Sequence, residues 1–288
     1  MNNNLIKGNK SVYFYILPAL ILIAIFTIYP IFNAFYMSFQ APNGDINISN
    51  YEYVLKSDMF WKGVKNTLLY AVVVTPISIA VSLVISYLLS LKIKFKNTFQ
   101  TLYFLPYVTS TIAIGSVFAM MYHTNYGVFN AILEAVGMKP IGWLTNPKFS
   151  MLSVILFGIW KSLAFNILIL FTALQGIDEN LEKAALVDHA SSLTIFLKVK
   201  VPQIYPVVTY LLVIDLIYNF KVYEEVVSLF KGSAGIDNSA MTMVYYIYQQ
   251  FYTVQDYSLA AVGAVMLLIF VGLLTLLNKF VSKKLGGN

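Results

Sequence analysis

Five ionisable side chains fall inside or at the edge of long apolar runs, where a charge is costly and marks a functional candidate. Lys161 stands within the run 151–172 and Asp215 within 205–223, with Lys221, Glu224 and Glu225 at the end of the second run. Asp215 and Asn219 are four positions apart, so a helix sets them on one face, which Val222 and Tyr223 extend. In the earlier run Gly158, Ser162 and Phe165 share a face beside Trp160 and Lys161. A carboxylate accepts hydrogen bonds, an amide both donates and accepts, and an aromatic ring offers a flat apolar surface. A second reading of the same residues pairs Asp215 with Lys161 or Lys221 to neutralise charge inside the bundle, and the two readings are compatible.

Other chemistry is missing. No G-x-x-x-x-G-K-[ST] phosphate cradle and no G-x-S-x-G nucleophile elbow occurs. The two histidines, His123 and His189, lie far apart in sequence and on opposite sides of the membrane in the topology below, which excludes a paired-His metal site. The chain contains no Cys, so disulfides and thiolate metal sites are unavailable. Neither enzymatic activity nor a bound cofactor is expected.

The elements that must carry these residues are membrane helices. Of 288 residues, 59% are hydrophobic and 11% charged, and the mean hydropathy of +0.72 is far above that of a soluble domain. Six segments read as spanning, each near the ~20 residues that cross a ~30 Å hydrocarbon core. They run from about 13 to 39, 67 to 91, 99 to 121, 151 to 172, 205 to 223 and 258 to 280. Pro18, Pro30, Pro76 and Pro106 fall inside them, which argues for a packed bundle where neighbours re-satisfy freed carbonyls. The first segment exceeds a secretory h-region and lacks a small-residue cleavage site, so it reads as a retained helix.

Lysines orient the bundle. Lys7, Lys10, Lys92, Lys94, Lys96, Lys183, Lys198, Lys200, Lys279, Lys283 and Lys284 fall in one set of loops and termini; Lys56, Lys62, Lys65, Lys139, Lys148 and Lys231 in the other. The positive-inside rule therefore places both termini and the island 174–206 in the cytoplasm of a multi-pass cell-membrane protein. With its basic residues split by the bilayer, the net charge of +6 does not read as a nucleic-acid footprint.

The island is polar within an apolar chain. Asp178 reads as an N-cap, and Leu181, Ala184, Ala185 and Asp188 follow at i, i+3, i+4 and i+7. Ser191 or Ser192 can cap a second short helix with Ile195, Phe196 and Val199 on its apolar side, which Pro202 and Pro206 would end. Small alanines let another helix or a groove approach closely, and a short exposed helix of this kind can be gripped and pushed as a lever. The alternative is an ordinary amphipathic loop.

Lys183-Ala184-Ala185, Asp188-His189-Ala190 and Val199-Lys200-Val201-Pro202 stand in a frame resembling the coupling loop of binding-protein-dependent ABC importer permeases, Glu-Ala-Ala-x3-Gly-x9-Ile-x-Leu-Pro. Lys183 replaces the usual Glu, with Glu182 one position earlier, and His189 replaces the usual Gly. The external runs resemble those of the carbohydrate and glycerol-phosphate branch. These are 50–66 with its Asn-Tyr, Phe-Trp and Asn-Thr pairs, 126–144 with Gly, Asn, Leu and Trp-Leu, and 231–252, Gly-rich then Tyr-rich. The stripe of Tyr51, Leu55, Phe60, Trp61 and Val64 also reads as an interfacial aromatic belt.

The resemblance implies an all-α integral membrane protein, one permease domain over 1–288 with six transmembrane helices and the type I importer fold. It implies a coupling loop of Glu182, Lys183, Ala184, Ala185, Asp188, His189 and Pro202 that meets an ABC ATPase, with ATP bound by that partner. Alignment with maltose-type permeases puts Ser162, Phe165, Asp215, Asn219 and Tyr223 on sugar-lining positions, and ring stacking with hydroxyl-binding groups suits a sugar. A second permease and an extracytoplasmic solute-binding protein complete the implied assembly. The alternatives are a permease for glycerol-3-phosphate or its diesters, and a proton-coupled secondary transporter using Asp215 and Glu224. The latter is disfavoured by the absence of inverted repeats.

Overall fold

The structure is a computed structural model that describes residues 10–41, 44–91, 98, 101 and 105–284. Apart from an isolated antiparallel bridge between Gln40 and Ile46, the described residues are helix, turn and loop. In chain order come α1 (Lys10–Ile23), a π-turn (Ala24–Ile28), α2 (Tyr29–Phe39), α3 (Ser49–Lys56), α4 (Asp58–Ser90), α5 (Thr111–Met121) and α6 (Val128–Ala135). There follow α7 (Pro147–Gln175), α8 (Glu179–Val187), α9 (Ser192–Ile195), a second π-turn (Phe196–Lys200), α10 (Val201–Gln203) and α11 (Tyr205–Asn219). The chain continues through α12 (Glu224–Leu229), α13 (Met243–Tyr248), a third π-turn (Gln249–Val254) and α14 (Tyr257–Lys284).

Four helices are long and apolar enough to cross a bilayer: Tyr15–Phe39, Asp58–Ser90, Pro147–Gln175 and Tyr257–Leu277. Ser192–Gln203 and Tyr205–Asn219 supply a fifth if their 68° bend lies within one span. Helix α5 is apolar but shorter. Residues 99–100 and 102–104 of the third expected segment lie outside the described residues, as do Lys7, Lys92, Lys94 and Lys96.

The chain divides into two compact units. The first comprises 1–57 and 247–266. Within it, the Asn50 amide donates to the carbonyls of Ser38 (3.2 Å) and Gln40 (2.9 Å), closing the turn between α2 and α3. Pro30 lacks the N–H that would continue the helical ladder, and the π-turn just before it absorbs the fault.

The second unit comprises 58–246 and 267–288 and contains the candidate site. Its spine is α4, 33 residues and about 50 Å at 1.5 Å per residue. Buried Thr75, Ser78, Ser82 and Ser86 form a small-residue stripe on α4, and Ser86 donates to the Ile167 carbonyl of α7 at 3.1 Å. Small side chains let membrane helices pack closely where lipid provides no hydrophobic drive.

Three expectations are corrected. The stripe across 51–64 is broken at Ser57, whose backbone is extended (ψ 117°), so α3 and α4 are separate helices and the span starts at Asp58. Phe60 is fully buried against Trp61 and Tyr246, whereas Leu55 is exposed, so these side chains do not form one interfacial face. Pro202 lies inside a helical run rather than ending it, because the π-turn 196–200 takes up its missing N–H; the break comes at Ile204, before Pro206. Helix α11 stops at Asn219, so Val222 and Tyr223 do not extend its face. There the Thr242 hydroxyl takes the Val222 carbonyl at 2.8 Å, satisfying off the helix a group the helix would otherwise use.

Candidate functional site

Two cavities adjoin within the second unit, about 490 Å³ and 260 Å³, sharing Tyr70, Lys161, Tyr218, Asn219 and Glu225 on their walls. Ser162, Phe165, Asp215 and Asn219 all line the larger. Tyr223 lines the smaller, reached from the loop after α11 rather than from the helix. The five residues singled out from the sequence are thus brought together, though from α7, α11 and the loop beyond it.

Asp215 is buried and accepts a 2.6 Å hydrogen bond from the Asn166 amide of α7. The Asn166 amide also reaches Ser78 of α4, at 3.4 Å. The Asn219 amide donates to the Thr75 hydroxyl at 2.9 Å. The ladder Thr75–Asn219 and Ser78–Asn166–Asp215 therefore ties α4, α7 and α11 behind the cavity wall. Lys161 pairs with Glu225 at 2.7 Å, not with Asp215, and its ammonium lies 5.7 Å from the Tyr218 ring centre. A largely buried pair of this kind costs ~3–5 kcal/mol to break from one side, because the remaining charge is left uncompensated.

The aromatic wall was only partly legible. Phe165 stacks on Tyr107 with ring centres 5.6 Å apart and planes 21° apart. Tyr70 enters both cavities from α4. It does so because position 158 is glycine: a Cβ there would run into the Tyr70 hydroxyl. Neither tyrosine carries a local sequence signal, since each reaches the site only through helix packing.

At the far end of α4 a set of contacts fixes the loop 231–243. Lys62 donates to the Asp237 carbonyl (2.6 Å), and Asn66 to those of Ser239 (3.0 Å) and Met241 (2.8 Å). Thr67 accepts from the Met243 amide at 2.9 Å. The loop has left-handed backbone at Lys231, Asp237 and Asn238 (φ 52°, 52° and 54°). Asn66-Thr67, notable in the sequence only by resemblance, is thereby explained as a clamp.

The segment 174–206 is formed as its local signals indicate. Asp178 caps α8 by accepting from the Asn180 amide at 2.9 Å, and Ser191 caps α9 by accepting from the Thr194 amide at 3.2 Å. Helix α8 ends in a Schellman motif, with Ala190 N–H on the Ala185 carbonyl and His189 N–H on the Leu186 carbonyl, both at 3.0 Å. Asp188 is the C-cap and His189 adopts φ 55°. That left-handed position favours glycine, which explains the residue type expected there. Ala184 is exposed and Ala185 half-buried, with Leu186 and Val187 exposed beside them. Lys183 meets Glu179 at 3.3 Å on the surface, whereas Glu182 meets buried Lys200 at 2.9 Å.

A bundle of long apolar helices, with a cavity whose wall carries Lys161, Asp215, Asn219 and Glu225 and with a capped polar segment, is the architecture of a multi-pass membrane protein. Residues 76–287 match the family described as binding-protein-dependent transport system inner membrane component, and the chain belongs to it. It is 31% identical over 284 residues to an arabinooligosaccharide transport system permease of Bacillus subtilis, covering 96% of this chain and 88% of that one. It is 29% identical over 278 residues to a lactose transport system permease of Rhizobium radiobacter, covering 94% and 93%. A solved bacterial ABC transporter involved in importing the acidic polysaccharide alginate has a chain of the same fold. That match has TM-score 0.85, 23% identity and 98% coverage of both chains.

Proposed function

We propose that the chain is one of two permease subunits of an ABC importer, forming the pathway for a sugar, an oligosaccharide in the first instance. An ATPase pair would grip the segment 174–206 from the cytoplasm, where both termini also lie, and an extracytoplasmic binding protein would deliver the sugar to the opposite face. The observation that carries this reading is the cavity itself. Ser162, Phe165, Asp215 and Asn219 converge on one chamber with tyrosines, which supplies ring faces and hydroxyl partners together.

Charge weighs against the phosphate alternative. The two cavities are lined by three carboxylates, Asp215, Glu224 and Glu225, against two lysines, Lys161 and Lys221, and Lys161 is already paired. A phosphate site gathers unneutralised cations or free backbone N–H groups. The arabinooligosaccharide and lactose relatives favour the same conclusion.

Sugar uptake and subunit abundance, measured together, test the site. Asp215→Ala and Asn219→Ala should lower uptake per assembled subunit about tenfold or more, as a lost buried hydrogen bond of roughly 1–3 kcal/mol implies; because Asn166 and Thr75 also lose their partners, abundance is the necessary normalisation. Normal uptake in both variants overturns the assignment. A change at Lys161 should not rescue Asp215→Ala, because its partner is Glu225.

A further inference from the structure

We propose that Tyr87 is the positioning residue that carries movement of the coupling segment into the membrane bundle. The proposal rests on the reading of 174–206 as the ATPase-facing segment. Tyr87 stands in the last turn of α4, the helix that also holds the cavity wall through Tyr70 and Thr75.

Three contacts converge on its one ring. Its face stacks on Phe196 of the π-turn, with centres 4.2 Å apart and planes 30° apart. Its hydroxyl donates to the Ser192 carbonyl at the start of α9, at 3.3 Å. The Lys200 ammonium lies 5.8 Å from the ring centre, within cation–π range. Lys200 is in turn held by Glu182 of α8 at 2.9 Å. Both halves of the segment, α8 through Glu182–Lys200 and α9 through Ser192 and Phe196, therefore bear on a single side chain of α4.

This arrangement resists displacement in every direction that matters for a push. Stacking opposes tilt of the segment, the hydroxyl opposes sliding, and the buried ammonium couples the first helix to the second. Loss of the ring would leave the segment able to move while α4 stays behind. Filling space alone does not require this set of contacts, and any apolar side chain of similar volume would serve that purpose.

The chain lacks cysteine, so one introduced thiol reports one place. A cysteine at Thr109, on the cavity wall, is labelled with a membrane-impermeant methanethiosulfonate in the assembled importer, with and without ATP–vanadate trapping. A cysteine at Ala185 cross-linked to the ATPase serves as the assembly control. Trapping should change the Thr109 labelling rate several-fold in the parent. In Tyr87→Ala that change should vanish while ATP hydrolysis and the Ala185 cross-link persist. Tyr87→Phe, which keeps the stack and the cation contact, should retain the change. If Tyr87→Ala fails to accumulate, Tyr87→Leu carries the same expectation. An unaltered labelling response in the alanine or leucine variant, with the cross-link present, overturns the strut alone. A parent that neither cross-links nor responds overturns the coupling reading, and the strut with it.

Discussion

At the residue scale, close approach and backbone handedness explain two positions that composition alone leaves silent. Gly158 admits the Tyr70 hydroxyl to the space a Cβ would take. Gly158→Ala should therefore displace Tyr70 from both cavities at a cost of about 1–3 kcal/mol for overpacking. Uptake should fall more than subunit abundance, since the helix itself tolerates alanine. His189 occupies a left-handed position at the end of α8. His189→Gly should leave abundance unchanged or raised, whereas His189→Val should destabilise the segment by about 1–2 kcal/mol, because its branched Cβ is crowded by left-handed backbone more than the unbranched imidazole is; thermal unfolding of the purified complex separates the two. The candidate carboxylate was legible from its cost in an apolar run, but its partner was not. Asp215 and Lys161 look complementary in sequence, yet Asn166 takes the first and Glu225 the second.

Elements were legible where their signals are local. Asp178 caps α8 as expected, and of the two candidates Ser191 and Ser192 it is Ser191 that caps α9, because capping needs only the next two or three amides. Helix ends set by distant groups were not. Nothing near Asn219 announces a stop in an apolar run, and just beyond it a distant residue, Thr242, takes the Val222 carbonyl. The same holds for α4, which starts at Asp58 although 50–66 reads as an external run, and whose first turns are held by contacts of Asn66 and Thr67 with loop 231–243. Asn66→Ala should strip donors from the Ser239 and Met241 carbonyls, an expected cost of roughly 1–3 kcal/mol for each group left buried without a partner. Hydrogen exchange across 231–243 should accelerate while α7 stays protected. At the other end, under the proposed coupling, the 68° bend at Ile204 would turn a push along 192–203 into a mainly sideways displacement of α11, the helix that carries Asp215 and Asn219.

For the molecule as a whole, the membrane class, the helical architecture and the family follow from hydropathy, lysine placement and the frame around Ala184-Ala185. The assembly of the cavity does not, since it depends on which faces of three helices meet. One dimension of that assembly reaches beyond the protein. From Thr67 to Ser90, α4 runs about 36 Å at 1.5 Å per residue, longer than a hydrocarbon core of about 30 Å. A bilayer absorbs such an excess by tilt, kinking or local thickening, and this helix is tethered at its two ends, to loop 231–243 and to Phe196. Its inclination is therefore shared between lipid and protein. In proteoliposomes of graded acyl-chain length, transport should pass through an optimum, falling in thin bilayers that force steeper tilt. Bilayer thickness would then set how far this helix leans, and with it the proposed transport movement.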